Sequence, residues 1–71
     1  MTWTRTKPTG PGTYRTRHAV GNDRAVNTVM VTRRGRGLSV YCHAYRDRVP
    51  MSAIDDGELE WELVMQTGGG Q

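Results

Sequence analysis

The sequence has no phenylalanine, one isoleucine, three leucines and a single cysteine. With seven valines added, the strongly apolar core-forming residues still number only eleven of 71. So sparse a set would point to disorder in a highly charged chain, but the formal net charge is only +3. It excludes a multidomain enzyme and any large single core. A domain this short buries only about 60% of the surface its unfolded chain exposes, and so is marginally stable. The lone Cys42 excludes an intrachain disulfide and fits a reducing compartment. No stretch approaches the ~18 apolar residues of a membrane helix, and residues 1–10 hold no apolar run of the targeting kind. The expectation is a soluble, cytoplasmic protein.

Positive charge is missing from the last part of the chain and negative charge is scarce in the rest. Residues 51–71 contain no base, only Asp55, Asp56, Glu58, Glu60 and Glu62. Residues 1–50 hold all ten Lys and Arg against Asp23 and Asp47, a local net of +8. Two arrangements follow from this asymmetry. The acidic end can lie across from basic strands and neutralise them, because opposite charges facing each other on neighbouring strands attract. Alternatively a basic face stays uncovered and draws an anionic partner.

Helical periodicity is absent, and short alternating stretches are separated by Gly and Pro. The clearest strand is 58–65: Leu59, Trp61, Leu63 and Met65 fall on one face, Glu58, Glu60 and Glu62 on the other. The turn Asp55-Asp56-Gly57 precedes it. Strands are also expected at 13–20, 25–32 and 38–45. The run Val29-Met30-Val31 suggests contact on both faces and a central position. In the 38–45 strand, Leu38, Val40, Cys42 and Ala44 share one face, Ser39, Tyr41, His43 and Tyr45 the other. Arg33-Arg34-Gly35-Arg36-Gly37 reads as a tight hairpin turn, and Pro50 makes 49–54 an edge or irregular bridge. The fold expected is all-β: a small antiparallel meander of four to five strands, curled into an SH3-like barrel or half-barrel. Residues 1–66 form the single domain, with 1–12 an extended arm whose Trp3 tucks against the sheet. Residues 67–71, with Gly68-Gly69-Gly70, form a disordered tail.

Two stretches carry a family resemblance. The opening Trp3-Thr-Arg-Thr-Lys-Pro-Thr-Gly-Pro-Gly-Thr-Tyr14 and the closing Val49-Pro-Met-Ser-Ala-Ile-Asp-Asp-Gly-Glu-Leu-Glu-Trp61 together resemble small phage and prophage accessory proteins. Those proteins open with a Trp, a Thr-x-x-Pro step and Pro-Gly-x-Tyr, and close with Asp-Gly-Glu before a Trp. The chain departs from that pattern at Arg15, at Leu59 and at Glu62-Leu63. The resemblance implies a compact β protein of unassigned activity, acting in the cytoplasm of a host cell.

Residues suited to catalysis are few. Cys42 and His43 are adjacent, so on a strand they point to opposite faces and cannot form a thiolate–imidazole pair; Cys42 reads as a core residue. One Cys and two His, His18 and His43, lack the paired spacing of a zinc site. Asp55-Asp56-Gly57-Glu58 lacks the alternating oxygen ligands of a calcium loop. Gly35 and Gly37 belong to no phosphate-binding loop. No enzymatic role, metal or cofactor is expected.

Binding is the better supported class. A basic hairpin (Arg33, Arg34, Arg36) next to an aromatic row (Tyr41, His43, Tyr45) is the strongest site-like feature, suited to a partner protein or to nucleic acid. The acidic row Glu58, Glu60 and Glu62 is the alternative surface, able to mimic a phosphate backbone. The reading that follows is a non-enzymatic accessory protein that binds a host or defence-system protein and modulates or inhibits it. The alternative is a nucleic-acid-binding small β-barrel using the hairpin and the aromatic strand face. A homodimer is one route by which so small a core gains stability.

Overall fold

The structure, a computed structural model, describes residues 3–21 and 25–66. It is all-β: five antiparallel strands in one sheet, β1 (Gly12–His18), β2 (Asn27–Arg34), β3 (Gly37–Cys42), β4 (Asp47–Pro50) and β5 (Leu59–Gln66). A single 3-10 turn, Met51–Ala53, joins β4 to β5. The order across the sheet is β4-β3-β2-β1-β5. Four strands thus form a meander and the fifth returns beside the first. Since β4 and β5 do not pair, the sheet is a curled half-barrel, not a closed barrel. The tail expected over 67–71 lies outside the described residues.

Each strand expected from alternation forms, with its ends displaced by a few residues. The hairpin between β2 and β3 is tighter than the basic run suggested: Arg34 pairs with Gly37, leaving Gly35-Arg36 as the turn. Gly35 has φ 61°, the left-handed backbone that a two-residue hairpin needs at its first central position. The strand 38–45 ends early, at Cys42, because residues 43–46 form the next turn and Arg46 adopts φ 51°. At the edge, β4 carries Asp47, Arg48 and Pro50, residues that discourage pairing with another chain.

The core lies on the concave face. Val29, Val31, Val40, Met51 and Trp61 are buried there, with Tyr14, Leu38, Cys42, Val49, Ile54 and Leu59 packed against them. Tyr14 meets Trp61 edge-on, ring centroids 6.2 Å apart. The β2 strand is central as expected, but Met30 is 39% exposed, so only one of its faces is covered. An unbroken apolar run does not itself specify two buried faces.

The alternation of β5 breaks near its end. Tyr14 pairs with Leu63, yet the preceding Thr13 pairs with Met65, so Val64 is an extra residue in the strand. A bulge shifts the period by one. Met65 therefore leaves the face of Leu59 and Trp61 and joins that of Thr13, at 62% exposure.

The N-terminal arm is a strap. Thr4 and Trp61 exchange backbone hydrogen bonds of 3.0 and 2.7 Å, adding a bridge outside β5. Lys7 then donates through Nζ to the carbonyl oxygens of Ile54 (2.8 Å) and Met51 (3.3 Å), satisfying backbone groups at the 3-10 turn. Tyr14 donates its hydroxyl to the Gly10 carbonyl at 3.1 Å and holds the return of the strap.

Candidate functional site

Residues directly opposite each other on antiparallel strands share a face. Following the register across the sheet gives one row: Arg48 (β4) opposite Tyr41 (β3), Tyr41 opposite Met30 (β2), Met30 opposite Thr13 (β1), Thr13 opposite Met65 (β5). This row crosses the convex face, the side away from the core. Met30 and Met65 are exposed, and Tyr41 and Thr13 half-buried. The Arg48 guanidinium lies over the Tyr41 ring at 5.8 Å, and the His43 ring meets Tyr41 edge-on at 4.9 Å. The row has aromatic and cationic chemistry at one end and two flexible thioethers toward the other.

The sequence-expected site is only partly assembled. Tyr41 and His43 come together on the convex side. Tyr45 does not join them: it lies in the 43–46 turn and lines a cavity of the concave side with Val40 and Cys42. The chain leaves the strand after Cys42, so the two-residue period no longer governs residue 45. Ala44, expected on the apolar face, is exposed in the same turn.

Arg33, Arg34 and Arg36 are all exposed, and no ion pair joins them to any described residue. Alternation separates them. Arg33 follows Val29 and Val31 onto the concave side, opposite Leu38, whereas Arg34 follows Met30 and Thr32 onto the convex side. The tip at Gly37 is four residues from Tyr41, about 13 Å along an extended strand. Hairpin and aromatic pair are therefore separate features of one sheet.

The acidic row is engaged with β1. Arg15 Nη1 lies 3.3 Å from Glu62 Oε1, and Arg17 Nε donates to Glu60 Oε1 at 2.6 Å. The Trp3 ring covers Arg17, its centroid 4.1 Å from the guanidinium carbon. Glu62 is buried at 5% exposure. Glu58 is exposed in the turn before β5, where its carboxylate accepts from the Asp55 amide at 3.4 Å. These three carboxylates do not form an open acidic surface: two of them neutralise basic neighbours, the first of the two arrangements that the charge asymmetry allowed.

Four members of the row carry no signal in the sequence pattern: Met30 and Met65, whose alternation points to buried positions, and Thr13 and Arg48, which have no distinguishing local context. The pairing register aligns Met30 and Arg48 with Tyr41, and the position of Met65 depends in addition on the bulge at Val64, which no local residue announces. Burial raises the Tyr14 hydroxyl above its ordinary value of 10.0, keeping it neutral and a donor to Gly10. Among the described residues no group of three or more His, Cys, Asp or Glu is placed to hold a metal. No described helix is long and apolar enough to cross a membrane. No family model matches the chain, and no match emerges among curated proteins or solved structures.

Proposed function

We propose that this chain is a non-enzymatic binding module that docks on another protein through the convex face of its sheet. On the resemblance of its terminal segments to small phage accessory proteins, we take the partner to be a host or defence-system protein that it modulates or inhibits. The observation that carries the docking reading is the row Arg48–Tyr41–Met30–Thr13–Met65. Tyr and Arg are the residue types most often dominant in interfaces, and exposed Met adapts to irregular partner surfaces. The row sits on five hydrogen-bonded strands, so little backbone order is lost on docking. Arg48 gives one end of the row a positive charge, while the carboxylates of Glu60 and Glu62 are already paired with β1 arginines. The complementary surface is apolar at its centre with carboxylates around it.

The test is capture from host lysate, with and without nuclease, read by mass spectrometry. A specific protein should remain bound after nuclease treatment and be lost when Met30→Asp and Tyr41→Ala are combined. Equal capture by that variant, with unchanged circular dichroism, would remove the convex face from consideration.

A second reading rests on a different observation, the three arginines of the β2–β3 hairpin, which have no ion-pair partner among the described residues. They suit phosphate oxygens, and the partner would then be nucleic acid. Such binding is strongest at low salt and falls steeply as salt is added. Replacing Arg33, Arg34 and Arg36 together by Ala should abolish it.

A further inference from the structure

Four strand ends meet at one end of the half-barrel: β1 stops at His18, β2 starts at Asn27, β3 stops at Cys42 and β4 starts at Asp47. Between them, on the concave side, opens a cavity of about 250 Å³. Its wall is aliphatic, with Val29, Val40 and Leu59 the residues that a ligand body would touch. Its mouth is polar, carrying His18, Asn27, Tyr45 and Asp47. Apolar walls with a few polar groups at the opening are what small-ligand sites share, and barrel mouths are a preferred location for them. This cavity is just under the ~300–1,000 Å³ typical of pockets for drug-sized molecules, a size that suits a single ring.

Charge selects the head group. Among the described residues of the lining Asp47 is the one acid, His18 is the one basic side chain, and there is no Lys or Arg. Of the sequence neighbours of Asp47, Arg48 lies over Tyr41 on the convex face, and Arg46 is not part of the lining. The Asp47 carboxylate makes no ion pair with any described residue. Tyr45, 73% exposed in the adjoining turn, adds an aromatic ring that attracts cations.

We infer that the concave mouth binds a small organic amine, an apolar ring bearing a primary ammonium group. The ring lies against Val29, Val40 and Leu59, and the ammonium group meets Asp47 and Tyr45. This site is independent of the convex docking face.

Cys42 lines the same cavity and is the sole thiol of the chain, so its alkylation reports occupancy. The probes are phenethylamine and its acidic counterpart, 3-phenylpropionate, at millimolar concentrations. Phenethylamine should slow Cys42 alkylation by iodoacetamide saturably, and 3-phenylpropionate should leave the rate unchanged. Asp47→Asn, an exposed and nearly isosteric change, should weaken protection by phenethylamine about tenfold, as expected for losing one partly desolvated charge contact. Amide chemical shifts in the same titration should move at Val29, Val40 and Leu59. The inference is overturned if phenethylamine gives no saturable protection, if the acid protects equally, or if Asp47→Asn binds as well as the parent protein.

Discussion

A β-carbon placed on Gly12 would stand 2.8 Å from the carbonyl oxygen of Met65. The two residues are brought together by the bulge, which pulls the end of β5 against the start of β1. Backbone on one side and the Tyr14 ring at 3.2 Å on the other leave no room for a methyl group. Gly12→Ala should therefore lower stability by about 1–3 kcal/mol, the usual cost of overpacking a close contact. Urea denaturation followed by tryptophan fluorescence measures it; a neutral substitution would mean that β5 can relax away.

The Arg15–Glu62 pair is asymmetric in burial, with side chains 42% and 7% exposed. Removing the arginine leaves a buried carboxylate without its cation, whereas removing the acid leaves a guanidinium that water can reach. Arg15→Met should cost about 2 kcal/mol, less than a fully buried pair because solvent screens the exposed half. Glu62→Gln should cost less than that, and the double variant should recover part of the Arg15→Met loss. The same denaturation experiment on all three proteins forms the cycle.

Lys7 joins the arm to the 3-10 turn through two carbonyl oxygens, while its ion pair with Asp56 involves a carboxylate that is 92% exposed. The two contacts should separate by mutation. Lys7→Met should cost about 2 kcal/mol through lost charge-assisted hydrogen bonds. Asp56→Asn should stay within about 0.5 kcal/mol. Hydrogen exchange of the Trp61 amide, which donates to Thr4 in the strap, should quicken only in the first variant.

Tyr14 makes alkaline stability informative. Its hydroxyl titrates above 10.0 when folded because burial disfavours the phenolate, so the folded state holds the proton more tightly than the unfolded chain. Stability from this group is complete below about pH 10 and declines as pH rises from there through the folded value. Tyr14→Phe should flatten that alkaline decline. It should also cost about 1 kcal/mol near neutrality through the lost bond to Gly10. Thermal melts across the alkaline range test both effects.

The strands, the order of turns and the all-β class were legible because period-two alternation and turn residues are local properties. Glu60 and Glu62 facing β1 arginines was one of two arrangements that the divided charge allowed, and pairing decided it. Tyr45 was misplaced because the strand ends at Cys42, where the next turn claims residues 43–46. Met65 was misplaced because the bulge at Val64 reverses the faces beyond it. The convex row was invisible for a related reason: its five residues lie on five strands, from Thr13 to Met65, and only the register aligns them.

By itself the sequence determined that this chain folds as short antiparallel strands with one greasy side, since side-chain alternation follows from the geometry of an extended backbone. Tertiary structure decided which residues that pattern leaves facing outward. Strand pairing, the bulge and the strap each depend on contacts between residues distant in the chain, and no local pattern encodes those distances.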